Sequence, residues 1–259
     1  MTTLAFTRPE ERLPSSVALA ESMGFKVFAA PSLRIMDGDE EEIRRFEDGL
    51  AHGRYAAVVI TSVTAVEHLV AKVRDDTMSR LHDVMFIAIG RATRDSLRYL
   101  GFDPLMPDEY TSTGLVDMFS DTLKNKNVCL LRSDKGSRVL NNGLIQAGAE
   151  IDEIHVYRLE PVLESEGMDI ILDVMKDETI DAYAFTSALS AKTFIDIAVN
   201  TLGKDKVANL FEAALVTAIG EPTADEIKRS GYAVDIISTK ADFPMMLQEI
   251  REHFDSKTK

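Results

Sequence analysis

The strongest constraint in this sequence is that its two halves repeat one pattern. Val59-Ile60-Thr61-Ser62 recurs as Ala184-Phe185-Thr186-Ser187, and Ile87-Ala88-Ile89-Gly90-Arg91-Ala92-Thr93 recurs as Thr217-Ala218-Ile219-Gly220-Glu221-Pro222-Thr223. Both copies then run to a Gly-aromatic pair, Gly101-Phe102 and Gly231-Tyr232. The openings match too: Leu4-Ala5-Phe6-Thr7-Arg8 stands beside Cys129-Leu130-Leu131-Arg132, and Gly24-Phe25-Lys26-Val27 beside Gly148-Ala149-Glu150-Ile151. A period this long marks duplicated domains rather than a solenoid. Two related domains facing each other would form a cleft for a large ligand.

Each copy alternates strand and helix. Residues 56–60, 84–89, 128–131 and 182–185 are short apolar runs of the kind buried on both sheet faces. Between them Leu13, Val17 and Ala20, then Leu140, Leu144 and Ala147, and finally Phe243, Leu247, Ile250 and Phe254 recur at helical spacing. The expected fold is α/β, with parallel sheets covered by helices and ligands at the carboxyl ends of the strands.

Charge and composition narrow the function. A formal net charge of −14 repels phosphate backbones, so nucleic acid is not an expected partner. The five histidines have no ligand spacing, and one cysteine, Cys129 in an apolar run, can complete neither a zinc site nor a disulfide, so no metal is expected. The acidic run from Asp37 to Glu42 lacks calcium-loop spacing and reads as the charged start of a helix. No apolar stretch is long enough for a membrane span and residues 1–13 do not resemble an export signal, so the expected location is cytoplasmic. There is no G-x-G-x-x-G, no G-x-x-x-x-G-K-[ST] and no G-x-S-x-G, which removes support for nucleotide cofactors and for a serine nucleophile.

What remains is a set of hydroxyls and arginines placed alike in both copies. Thr61-Ser62 and Thr186-Ser187 each end a strand and open a helix. Capping is the ordinary role of such a pair, yet a helix N-terminus is also an anion site. Thr93 and Thr223 follow Gly90 and Gly220 one strand further on, where a strand-to-helix turn is the ordinary reading. Arg8 and Arg132 follow the first strand of each copy, where guanidinium groups either clamp carboxylates or make ion pairs. Tyr157 closes a strand before Arg158 and Pro161, and offers either packing or a phenolic hydrogen bond.

Taken in order, these residues resemble the uroporphyrinogen-III synthase family over essentially the whole chain. The resemblance rests on Thr7-Arg8-Pro9 after the first strand, Pro31 after the second, Thr61-Ser62 with Ala65-Val66, Gly90-x-x-Thr93 and Leu131-Arg132. It continues through Gly148-Ala149, Val156-Tyr157, Phe185-Thr186-Ser187 and Ala218-Ile219-Gly220-x-x-Thr223-Ala224. Val63-Thr64 departs from the family's usual Pro-Asn pair, and Arg138 stands one place later than the family's second arginine.

The resemblance implies two five-stranded parallel domains, one of residues 1–33 with 163–259 and the other of 38–158, joined by a two-segment hinge at 34–37 and 159–162. It implies a cofactor-free, monomeric enzyme whose small-molecule substrate is hydroxymethylbilane, closed to uroporphyrinogen III with inversion of ring D and release of water. By the same analogy Tyr157 assists departure of the hydroxyl, while Arg8, Thr61, Ser62, Thr93, Arg132, Ser187 and Thr223 hold the substrate's acetates and propionates. The alternative is a non-catalytic binding or sensor protein of the same fold, which would be expected to have lost the hydroxyls and Tyr157. A sugar- or phosphate-binding protein of periplasmic type would need an export signal.

Overall fold

The computed structural model describes residues 1–177 and 180–257 and divides into two compact units, Met1–Ile35 with Glu160–Lys259, and Met36–Leu159. In the first, the strands are β1 (Thr3–Pro9), β2 (Lys26–Asp37), β7 (Ala182–Phe185), β8 (Leu215–Ala218) and β9 (Ile236–Ile237), in the order β2-β1-β7-β8-β9. Its helices are α1 (Leu13–Ser22), α8 (Glu166–Asp177), α9 (Ala188–Leu202), α10 (Lys204–Ala213), α11 (Glu221–Arg229) and α12 (Phe243–Lys257). In the second, β3 (Ala57–Ile60), β4 (Met85–Ala88), β5 (Asn127–Ser133) and β6 (Glu150–Pro161) lie in the order β4-β3-β5-β6. Helices α2 (Glu40–Ala51), α3 (Val63–Lys72), α4 (Asp75–Arg80), α5 (Arg91–Tyr99), α6 (Ser112–Leu123) and α7 (Arg138–Gln146) accompany them. Every strand pairing within either unit is parallel. No described helix is long and apolar enough to cross a membrane.

The sequence repeat and the compact units do not coincide. The first copy gives β1-α1-β2 to one unit and α2 through α6 to the other, while the second gives β5-α7-β6 and α8 through α12 the opposite way round. The boundaries fall inside β2 and β6, so residues 34–37 and 159–161 have strand conformation. Each of these strands carries a bulge. In β2, Arg8 pairs with Pro31 and Pro9 with Leu33, leaving Ser32 as an extra residue; in β6, Arg132 pairs with His155 and Ser133 with Tyr157, leaving Val156. A proline is tolerated at such a bulge, so Pro31 lies within the strand instead of ending it.

Burial on both faces follows from the strand sequences. In the first unit Ala5, Tyr183 and Phe185 turn to a core shared with α8 to α11, whereas Leu4, Phe6, Ala182 and Ala184 turn to one shared with α12. Tyr183, Phe185, Phe194 and Phe211 form its aromatic centre, where truncating a Phe to Ala would cost about 3–5 kcal/mol. In the second unit Ala57, Val59, Val128 and Leu130 pack with Leu115, Phe119, Leu140 and Leu144 of α6 and α7. The acidic run does open a helix: Asp39 caps α2 by accepting a hydrogen bond from the Glu41 N–H at 2.7 Å.

One implied feature is reduced. Where β9 pairs with β8, the second unit has only an isolated bridge between Ile87 and Leu105, beside four strands. Leu105 bonds β4 through both its N–H and its carbonyl, and the next residue to face that strand, Pro107, has no N–H to donate, so the pairing stops there.

Candidate functional site

In each unit the hydroxyls and arginines collect where strands end and helices begin. In Met36–Leu159, Ser62 follows β3 and caps α3, its Oγ accepting from the Ala65 N–H at 3.1 Å. The same Oγ lies 3.2 Å from the Tyr157 hydroxyl. Tyr157 is only 8% exposed and its ring stacks on His68, centroids 5.5 Å apart. His68 Nδ1 is 3.5 Å from Asp37, which Lys72 also binds. Hydrogen bonding from Lys72 holds the Asp37 carboxyl below its ordinary range. Tyr157 is therefore gripped on its ring face and at its hydroxyl by residues at and along one helix. Thr61, just ahead of Ser62, is partly exposed.

Tyr157 is not at a strand end, because β6 continues to Pro161. The bulge at Val156 resets the alternation of side chains immediately before Tyr157.

Arg132, on β5, is 3% exposed, and its Nε lies 3.4 Å from Glu153. Burial lowers its pKa, while Glu153 and Tyr157 act in the opposite sense. Gly136 lies against the guanidinium so closely that a Cβ there would come within 1.7 Å of it. Arg138, at the start of α7, opposes the charge on Arg132 electrostatically.

In the other unit a cavity of about 420 Å³ is lined by Arg8, which lies within β1 and not after it as the sequence suggested, by Arg12 in the turn that follows, by Thr186 and Ser187 after β7, and by Asp242 and Phe243 at the start of α12. Ser187 caps α9, accepting from the Ser190 N–H at 3.0 Å. Thr186 donates its hydroxyl hydrogen bond to the Thr7 carbonyl at 3.1 Å, tying β7 to β1. The Arg8 guanidinium lies over the Phe243 ring, 4.8 Å from its centroid.

The structure thus brings Ser62 together with Tyr157, and Arg8 with Ser187. Thr93 and Thr223 lie within the first turns of α5 and α11 and are almost wholly buried, and neither lines the Arg8 cavity. Sequence reasoning missed His68, Asp37, Arg12 and Gly136. Only Arg12, four residues after Arg8, carried a sequence signal, as a second cation beside the first.

A family model for uroporphyrinogen-III synthase HemD matches residues 15–248. A protein from Methanothermobacter thermautotrophicus, named "Putative uroporphyrinogen-III synthase", is 28% identical over 230 residues, covering 88% of this chain and 89% of its own. The fold is similar to that of uroporphyrinogen III synthase from Thermus thermophilus, with a TM-score of 0.74 at 21% identity over 99% of this chain and all of that one. It is similar also to the Helicobacter pylori uroporphyrinogen-III synthetase, with a TM-score of 0.63 at 16% identity over 98% of this chain and all of that one. With the family model spanning most of its length, the chain belongs to the uroporphyrinogen-III synthase family.

Proposed function

We propose that the chain is a uroporphyrinogen-III synthase that converts hydroxymethylbilane to uroporphyrinogen III. The observation that carries this reading, in a member of this family, is the buried Tyr157 whose hydroxyl meets Ser62 at 3.2 Å above the carboxyl ends of a parallel sheet. In the proposed reaction the hydroxymethyl C–O bond on ring A breaks and the ring A pyrrole N–H gives up its proton, so that the oxygen leaves as water and ring A becomes an azafulvene. Tyr157 donates a hydrogen bond to that oxygen as charge develops on it. The substituted carbon of ring D attacks the resulting azafulvene, and the spiro intermediate fragments and recloses with ring D inverted. A fixed phenol is worth more here than a mobile one, because its position needs no reorganisation during the reaction.

Most of the catalysis is orientation. The substrate closes unaided to the uninverted isomer I, so the protein must hold the chain in the one geometry that inverts. The hydroxyls of Thr61, Ser62 and Ser187, and the arginines, are proposed to bind acetate and propionate groups, with no metal, nucleotide or flavin taking part; Thr93 and Thr223, more deeply placed, are proposed to complete the two helix entries. Isomer analysis of the product from fresh hydroxymethylbilane tests the reading: isomer III supports it and isomer I alone refutes it.

A further inference from the structure

Arg8 and Arg132 occupy the same position in the two copies but have opposite surroundings. Arg132 has Glu153 at 3.4 Å, so its charge is compensated within the protein. The Nε of each is shielded from solvent without a hydrogen-bond partner, but no carboxylate among the described residues forms an ion pair with Arg8. The nearby acids are otherwise engaged: Glu10 pairs with Arg34 at 2.9 Å, and Asp242 accepts from the Met245 N–H at 2.8 Å. Burial and the charge of Arg12 together lower the Arg8 pKa to about 10, with no acid acting against them. In a chain of net charge −14, this cavity is lined by two arginines close enough for the charge of one to act on the other, and Arg8 carries its charge there without an ion-pair partner.

We propose that the cavity bearing Arg8 and Arg12 binds a pair of carboxylates, the acetate and propionate of a single pyrrole ring, with Arg12 a specificity residue for that pair. The proposal rests on the synthase reading for the identity of the ligand. A volume of about 420 Å³ suits the side chains of one ring but not a whole tetrapyrrole. Phe243 covers one face of the Arg8 guanidinium, leaving its edge to meet a carboxylate oxygen in plane. The α9 N-terminus, with Ser187 as its cap, adds a favourable dipole. The turn Glu10–Arg12 brings the second arginine to the same cavity.

Fluorescence titration with uroporphyrin I, a stable octacarboxylate, tests this without turnover. Coproporphyrin I, which has propionates but no acetates, serves as the comparison ligand. R8Q and R12Q are each expected to weaken uroporphyrin binding by about 10- to 100-fold, and R12Q, at the specificity residue, to change coproporphyrin binding less than about threefold. Uroporphyrin affinity within about twofold of the native protein in both variants would overturn the proposal, as would an equal loss for both porphyrins in R12Q. Arg12 is exposed, so R12Q keeps the test available should R8Q, which disturbs the Phe243 contact, fail to fold. The two readings fail separately. Isomer III production with binding indifferent to both arginines removes only the pocket, whereas arginine-dependent binding with isomer I as the product removes only the synthase.

Discussion

Replacing Tyr157 by Phe deletes one oxygen from a side chain that is 8% exposed, and leaves the ring free to stack on His68. No cavity larger than a hydroxyl forms, and Ser62 keeps its capping bond from Ala65. The structural loss is one neutral hydrogen bond, so stability should fall by no more than about 1 kcal/mol. If the phenol assists departure of the hydroxyl, the loss in the transition state is larger. A drop of roughly tenfold to a hundredfold in kcat corresponds to about 1.4–2.8 kcal/mol. The assay is initial-rate formation of isomer III with the spontaneous isomer I background subtracted, alongside denaturant unfolding of the same preparation. Unchanged turnover with lowered stability would refute the reasoning and leave Tyr157 as packing.

Further substitutions probe other parts of the account. Gly136→Ala places a Cβ within 1.7 Å of the Arg132 guanidinium, so either that buried side chain or the turn after β5 must shift; a destabilisation of about 1–3 kcal/mol in urea melts is expected, and a neutral result would show that Arg132 moves freely. The Tyr183 hydroxyl is buried without a partner and burial raises its pKa, so Tyr183→Phe should be neutral or stabilising by up to about 1 kcal/mol, read as the shift in unfolding midpoint; a clear loss of stability would contradict that reading. Cys129 is fully buried, and desolvation pushes its thiol well above the ordinary range. A thiol reagent at neutral pH should therefore label it only after denaturant is added; prompt labelling of the native protein would contradict the burial.

Where the sequence was informative, the physics was local. Residues 182–185 could be read as a strand because four consecutive apolar residues leave no polar face, and each proves buried on the sheet. The start of α2 was readable because acidic side chains suit a helix N-terminus. The bulges at Ser32 and Val156 were not readable, because a bulge is a matter of register against a distant partner strand. That the strands continue past Pro31 and Tyr157 was hidden as well, since strand length is set by pairing partners far along the chain. The repeat showed that Arg8 and Arg132 are equivalent but not how they differ. That difference depends on Glu153 facing one and Phe243 the other, and each neighbour is remote in sequence from the arginine it meets. His68 could not be singled out because its stacking on Tyr157 spans two elements far apart along the chain.

The measurement that tests the central claim most directly is the isomer composition formed when purified protein meets freshly prepared hydroxymethylbilane, with no metal, nucleotide or flavin added. Consumption of substrate alone decides nothing, since closure proceeds without a catalyst. After oxidation and chromatographic separation of the uroporphyrins, isomer III should rise with protein concentration at the expense of isomer I, and a chelator should leave the ratio unchanged. Isomer I alone at every protein concentration would contradict the account.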